Sequence, residues 1–235
     1  MANSFFQFKQ FTIHQSEAAL KVCTESCIFG ASIPVGDVHH ILDIGTGTGL
    51  LSLMLAQRSQ ASIEAIELDE ASARDAKKNF IESPWKNRLV LHLGDVKKFS
   101  SAKKFDLIIS NPPFFIHQFK SPNTRTNTAL HGSELKPQDL CTIVNQLSTE
   151  DARFFVLLPE QEMILLRHAL EATGWHSVYE LNIYQEAHKT IFRQVGGFSK
   201  KNEMTFVRKQ LIIYKNGKTY TEEFIDLLKD YYLYL

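Results

Sequence analysis

The chain has little that biases its function by composition. Its 235 residues carry 26 Lys and Arg against 26 Asp and Glu, so the formal charge is zero. A nucleic-acid partner therefore leaves no mark on the total charge. No apolar run approaches the roughly 20 residues of a membrane-spanning helix. The first residues, with Lys9 among them, lack the apolar core of a secretory leader, and no membrane partner is expected. Cysteines are sparse and odd in number, at Cys23, Cys27 and Cys141. Cys23 and Cys27 lack the companions of a zinc site, so no metal is expected. All three read as reduced, buried thiols of a cytoplasmic protein. Repeats and low-complexity stretches are missing. What is left is length enough for one α/β domain, or one and a half, with a full core.

Against that background, residues 41–56 stand out. Ile41 to Ile44 is an apolar run ending in Gly45-Thr46-Gly47-Thr48-Gly49, and Leu50, Leu51, Leu53, Met54 and Leu55 follow as a buried helix. The order is strand, tight glycine turn, helix. Glycines there let a ligand approach the backbone where a Cβ would block it, and the helix start offers unpaired N–H groups. An ordinary Gly-rich loop looks the same locally, so the glycines alone leave the matter open. Ser62 to Asp69 then reads as a second strand, with Glu67 at its C-terminal end. An acid about 20 residues beyond such glycines is where a ribose is held through its hydroxyls. A further apolar run, Leu107-Ile108-Ile109, ends in Asn111-Pro112-Pro113-Phe114. Three carboxyl ends of parallel strands would meet at one crevice, the usual ligand site of an open α/β sheet.

Asp43-Ile44-Gly45-Thr46-Gly47-Thr48-Gly49 together with Asn111-Pro112-Pro113-Phe114 resembles the class I S-adenosylmethionine methyltransferases that methylate amines. The glycines alternate, unlike the G-x-G-x-x-G pattern, which argues against NAD. Residues 8–13 and 21–24, with 224–232 at the other end, resemble a narrower family, the tRNA1(Val) adenine-N6 methyltransferases. The class resemblance spans about residues 38–160; the narrower one touches both termini through less specific motifs.

The resemblance implies an α/β, Rossmann-like fold: a seven-stranded, mostly parallel sheet of order 3-2-1-4-5-7-6 with helices on both faces. Residues 1–37 would form a cofactor-covering segment and 38–235 the methyltransferase domain. The cofactor would be S-adenosylmethionine, held by Asp43, Gly45, Thr46, Gly47, Gly49, Glu67, Leu68, Asp95, Val96, Asn111 and Thr24. Asp95 would accept from the adenine amine and the Val96 N–H would meet a ring nitrogen, a reading the other motifs favour over a mere surface Asp in a Gly-Asp turn. Lys21 and Gln15 are further candidates for the methionine end, with simple surface packing as their alternative.

The chemistry asks little else of the chain. An exocyclic adenine amine is a poor nucleophile because its lone pair is delocalised into the ring. The Asn111 amide oxygen and the Pro112 carbonyl can each accept one of its hydrogens, and Pro112-Pro113 fixes the backbone that aims them. Phe114 offers a stacking face to a flipped base. No His or Glu base is required, since the methylated amine loses its proton readily.

Elsewhere, residues 16–29 have helical spacing, and Pro34 and Gly36 break the pattern before the sheet. Asp69 reads as the N-cap of a helix through Phe80, and Pro137 opens another. Residues 116–136, with His117, Lys120, Arg125 and His131, read as a long polar loop beside the catalytic motif, of the kind that is either a substrate-contacting or a disordered lid. Residues 175–184 and 205–214 read as a closing antiparallel pair of strands. Between Glu186 and Lys218 lie eight basic residues and two acids. Lys189, Arg193, Lys200 and Lys201, interleaved with Phe192 and Phe198, suit single-stranded RNA; equally, they suit a solvated strand edge protected against aggregation.

The expected activity is methyl transfer to N6 of an adenosine in tRNA, at position 37 of tRNA-Val by the resemblance, with no obligate protein partner evident. N5-methylation of a glutamine side chain, in a protein such as a release factor, is the alternative, since the same motif serves that amide. Those enzymes usually carry a long N-terminal helical domain, and about 37 residues precede the first sheet strand here. A DNA adenine methyltransferase would need a target-recognition region for which there is no room. A non-catalytic RNA-binding relative would have lost Asn111 or the glycines, and all are present.

Overall fold

A computed structural model describes residues 3–113, 135–201 and 204–235. An N-terminal hairpin, β1 (Phe5–Gln7) and β2 (Thr12–His14), leads to α1 (Thr24–Ser32). Then come β3 (His40–Ile44), α2 (Leu50–Arg58), β4 (Ser62–Glu67), α3 (Glu70–Glu82), β5 (Leu89–Leu93) and β6 (Phe105–Ser110). The rest is α4 (Pro137–Leu147), β7 (Ser148–Leu158), α5 (Glu160–Glu171), β8 (His176–Tyr184), β9 (Arg193–Ser199), β10 (Val207–Ile212) and α6 (Glu222–Leu228).

Eight of these strands form one sheet, in the order β10-β8-β9-β7-β6-β3-β4-β5. Side chains alternate across it, as a pleated strand requires. Ile41 enters the layer of α1, α2 and α6 with Phe8, Phe29, Met54 and Phe224, whereas Leu42 and Ile44 enter the opposite layer with Leu140, Val144, Met163 and Leu166. The hairpin and the C-terminal helix thus share one core with the first sheet helices. Residues 1–37 supply Phe8, Phe11, Ile13, Cys27 and Phe29 to that core.

Two expectations need correction. Among the described residues the sheet has eight strands, because Arg193–Ser199 is a strand, and residues 205–214 do not pair antiparallel with 175–184. β9 lies between β7 and β8, antiparallel to both, and β10 runs parallel to β8 at the outer edge. β9 carries Gly196-Gly197, which reads as a breaker in sequence. Space explains the glycines: a Cβ on Gly197 would sit 2.4 Å from Phe155 Cε1 and 2.7 Å from Tyr179 Cβ, and one on Gly196 would sit 2.5 Å from Met163 Sδ. Large side chains of the flanking elements fill the room that a β9 side chain would take.

The first helix is the second correction. It begins at Thr24, while residues 16–23 are irregular. Tertiary hydrogen bonds hold that stretch open. Asp75 of α3 accepts from the N–H groups of Glu17 and Ala18 at 2.9 and 2.8 Å, and Gln15 Oε1 accepts from Val22 N–H at 2.9 Å. Backbone donors already satisfied by side chains gain nothing from a helix. As expected, Asp69 accepts from Ser72 N–H and Pro137 opens α4; Thr221 caps α6 by accepting from Phe224 N–H.

Gly197→Ala is expected to destabilise the protein by about 1–3 kcal/mol through overpacking, a fall in melting temperature of roughly 2–10 °C. Thermal melts followed by circular dichroism check this. An unchanged melting temperature would mean that Phe155 and Tyr179 yield at no cost.

Candidate functional site

The sheet changes winding direction at β3. β4 and β5 extend to one side of it and β6 and β7 to the other, all parallel. In register, Ile44 of β3 lies opposite Ser110 of β6. The residue after each is Gly45 and Asn111, so the glycine loop and the Asn-Pro-Pro turn leave the sheet side by side. Ser110 Oγ donates to the Ile44 carbonyl at 2.9 Å and ties the two exits together. On the other flank, the backbone N–H groups of Gly45 and Thr46 donate to Ile66 O at 2.9 and 3.0 Å, which fastens the loop to the end of β4.

Asp43 supports the loop from beneath. It is fully buried, and its Oδ2 accepts from Thr46 Oγ1 and Ser52 Oγ, each at 2.7 Å. Its Oδ1 has no hydrogen-bond partner among the described residues. Burial pushes this carboxyl up to about 6, with the two hydroxyls pulling the other way. Ser52 was not legible as part of the site, although a lone serine inside the apolar helix Leu50–Arg58 is a signal of sorts.

Two glycines show why the loop needs them. Gly47 has φ +58, a left-handed conformation that side chains disfavour. Its N–H donates to Glu67 Oε2 at 2.7 Å, and a Cβ there would meet nothing within 4 Å. Gly49, with φ +83, is the N-cap of α2, and a Cβ on it would lie 2.5 Å from Phe80 Cε1. The first leaves open space for a ligand; the second permits close packing of α3. Asn79 of α3 adds a fastening that sequence reasoning missed: its Nδ2 donates to Thr48 O at 2.8 Å and to His14 O at 2.9 Å.

Glu67 ends β4 half-buried, between the loop and the start of α3. Its Oε1 accepts from Asp69 N–H at 2.9 Å, opposite the Gly47 contact on Oε2. Burial raises its carboxyl above the ordinary value, and the N–H groups of Asp69 and Gly47 oppose that rise. Each carboxylate oxygen has a second lone pair, so both can still accept a hydroxyl. Leu68, next in sequence, is an exposed apolar residue. Asp95 follows β5 and caps the short turn Val96–Lys98, its Oδ1 accepting from Lys97 N–H at 2.9 Å. Thr24 is half-buried at the first position of α1. Lys21 and Gln15 are engaged elsewhere: Lys21 Nζ donates to Gln15 O at 2.9 Å, and Gln15 Nε2 to Asn3 O at 3.1 Å.

Asn111 is half-buried, Pro112 buried and Pro113 exposed. The Asn111 Nδ2 donates to Ser26 Oγ of α1 at 2.9 Å, which leaves the amide oxygen as the acceptor end. Phe114, with His117, Lys120, Arg125 and His131, lies outside the described residues. Among the described residues no cluster of His, Cys, Asp and Glu could hold a metal. The residues fit S-adenosylmethionine: open space over Gly45 and Gly47, an acceptor carboxylate at Glu67, an apolar surface at Leu68 and a further carboxylate at Asp95.

The four basic residues do not come together. Lys189 and Arg193 lie at the end of the sheet where the parallel strands finish, Gln194 being opposite Leu158. Lys200 and Lys201 lie at the other end, where Lys200 N–H donates to Ala152 O. The seven residues of β9 span roughly 20 Å. Arg193 Nη2 is 3.9 Å from Glu25 Oε1, with its side chain largely buried, and Lys200 Nζ sits 5.4 Å over the Trp175 ring. Lys189 and Lys201 are exposed.

Comparison with known proteins bears on the family and the fold. Residues 21–145 match the family described as Methyltransferase small domain. The chain is 42% identical to a tRNA1(Val) (adenine(37)-N6)-methyltransferase of Cytophaga hutchinsonii, with 100% of each chain covered. Its fold is similar to that of a predicted O-methyltransferase from Agrobacterium tumefaciens, with a TM-score of 0.67 and 17% identity over 87% of this chain and 95% of that one. It is also similar to the glycopeptide N-methyltransferase MtfA in complex with S-adenosyl-L-methionine, with a TM-score of 0.54 and 14% identity over 74% and 86%. At those identities the two structures show the fold alone. The full-length identity goes further: the chain belongs to the methyltransferase small-domain proteins and, among them, to the tRNA1(Val) (adenine(37)-N6)-methyltransferase family.

Proposed function

We propose that this chain transfers a methyl group from S-adenosylmethionine to N6 of adenosine 37 in tRNA1(Val). The observation that carries this is the register of β3 with β6, which sets the glycine loop beside the Asn-Pro-Pro turn, read together with family membership. The relatives do not favour the glutamine-amide alternative. No helix among the described residues is long and apolar enough to cross a membrane. The reading includes action in the cytoplasm, where tRNA is modified, without an obligate protein partner.

In this reading Glu67 accepts the ribose hydroxyls, Gly45 to Gly49 admit the methionine portion, Leu68 faces the adenine, and Asp95 with Val96 N–H reads its edge. Asp43 holds the loop, and Thr24 and α1 close the far wall. S-adenosylmethionine supplies a methyl group activated by its sulfonium. Asn111 Oδ1 and the Pro112 carbonyl accept the two hydrogens of the target amine, which frees the nitrogen lone pair from the ring. Pro112 and Pro113 have fixed φ, so the Pro112 carbonyl and the backbone that carries Asn111 need no reorganisation. Phe114 stacks on the flipped base. The rate then depends mainly on orientation.

The direct test is incubation of the protein with S-adenosylmethionine and unmodified tRNA, followed by mass spectrometry of the nucleosides. N6-methyladenosine at position 37 of tRNA1(Val) is the expected product. Methylglutamine in a protein, with no modified nucleoside, would defeat the reading.

Glu67→Ala is expected to weaken S-adenosylmethionine by roughly ten- to hundredfold, since hydrogen bonds to a charged group contribute about 1.5–3 kcal/mol. Calorimetry with unchanged affinity would remove Glu67 from the site. Asn111→Ala should keep that affinity within a few fold and lose most single-turnover activity; a near-normal rate would exclude its amide as the acceptor. The split of the basic residues yields a third expectation. Lys189→Gln should flatten the slope of log affinity for tRNA against log salt by about one unit. Lys200→Gln with Lys201→Gln, at the far end of the sheet, should leave it unchanged. Filter binding at several salt concentrations reads both, and a slope that responds only to the second pair would reverse the placement of the RNA.

A further inference from the structure

The Asn111 amide has two ends of similar shape and opposite chemistry. Its oxygen accepts hydrogens and its nitrogen donates them, and a half-turn about the last side-chain bond exchanges the two. Only one orientation suits an amine substrate. With the oxygen toward the crevice, the amide accepts an amine hydrogen. With the nitrogen there, two donors face each other and the interaction is lost. Nothing in the Asn-Pro-Pro turn itself distinguishes these states, since the prolines fix backbone and not side chain.

The distinguishing group comes from α1. Ser26 is buried at 9% exposure, and its Oγ receives Asn111 Nδ2–H at 2.9 Å across 85 residues of sequence. The same Oγ lies 3.0 Å from Cys23 Sγ, at the N-cap of α1. A hydroxyl has one hydrogen. Either atom of the Ser26–Cys23 contact can be the donor; with the Ser26 hydrogen directed to Cys23 Sγ, the oxygen is left as an acceptor, the role it plays toward Asn111 Nδ2. The helix that presents Ser26 is itself tightly placed. Gly30 lets α1 approach α2, since a Cβ there would be 2.6 Å from Met54 Sδ. Burial raises the Cys23 thiol above its ordinary value, with the Glu25 carboxylate adding to the rise, so Cys23 stays a neutral partner.

We infer that Ser26 is a positioning residue that selects the orientation of the Asn111 amide, keeping Oδ1 toward the target amine. The inference rests on the proposed role of Asn111 as hydrogen acceptor. Ser26 touches neither substrate nor cofactor in this account and acts through Asn111 alone. Loss of the hydroxyl therefore lowers the rate of methyl transfer and leaves the binding steps as they are.

The test compares Ser26→Ala, Ser26→Thr and Asn111→Ala by single-turnover methyl transfer to tRNA at saturating S-adenosylmethionine, with calorimetric affinity for that ligand and thermal melts alongside. Alanine is the best helix former, so Ser26→Ala keeps α1 intact. Its rate is expected to fall about tenfold, the scale of one lost hydrogen bond, at unchanged ligand affinity and with a melting temperature lower by no more than a few degrees. Ser26→Thr, which retains the hydroxyl, is expected to recover most of that rate. A wild-type rate in Ser26→Ala beside an inactive Asn111→Ala would overturn the role of Ser26 and leave that of Asn111 standing. A rate loss matched by an equal loss of ligand affinity, or one that threonine fails to restore, would overturn it too. If Asn111→Ala itself keeps its rate, the acceptor reading falls and Ser26 falls with it.

Discussion

Parallel pairing of β3 with β6 sets Ile44 opposite Ser110, and the adjacency of the glycine loop and the Asn-Pro-Pro turn follows from that match. A slip of one residue would turn the apolar side chains of β6 to the wrong faces, so the two buried layers enforce the register. With it enforced, the glycine loop and the Asn-Pro-Pro turn emerge from the sheet as neighbours. The Ser110 hydroxyl on the Ile44 carbonyl reinforces the pairing where the hydrogen-bond ladder ends.

The glycine loop is held by groups that are costly to bury. Asp43 has no exposed surface, and Glu67 is half-buried behind it. Hydroxyls from Thr46 and Ser52 offset the cost at Asp43, and backbone N–H groups from Gly47 and Asp69 do so at Glu67. The carboxyl of Asp43, raised to about 6, shows the compensation to be incomplete. Because its folded value lies above the ordinary 3.8, protonation favours the folded state, and this contribution is lost as pH rises through about 6. Loop geometry is thus maintained against a standing electrostatic penalty near neutral pH.

Much of this was legible in the order of residues. Strands 40–44, 62–67, 89–93 and 105–110 are apolar runs that end in chemically distinctive residues, so both the sheet centre and the crevice could be read locally. β9 could not, because Gly196 and Gly197 answer to Phe155, Tyr179 and Met163 on other elements. The start of α1 was misread for a related reason: Asp75, far along the chain, holds residues 17 and 18 out of a helix. Ser26 gave no local signal, since its meaning lies in one hydrogen bond to Asn111. Basic residues that look contiguous between 189 and 201 fall at opposite ends of a strand, which no count of charges reveals.

The two ends of the described chain are joined. Phe8 bridges to Tyr232, Lys9 N–H donates to Tyr231 O, and Tyr231 Oη donates to Met54 O across 177 residues. Phe224 and Leu228 of α6 lie in the same core as Cys27, Ile28 and Phe29 of α1. On the ribosome, then, α1 is made early and waits for its backing. Residues 24–32 keep an apolar side uncovered until residues 222–232 have been synthesised. The nascent protein therefore completes this core late, and the apolar surface exposed in the interval gives chaperones something to hold.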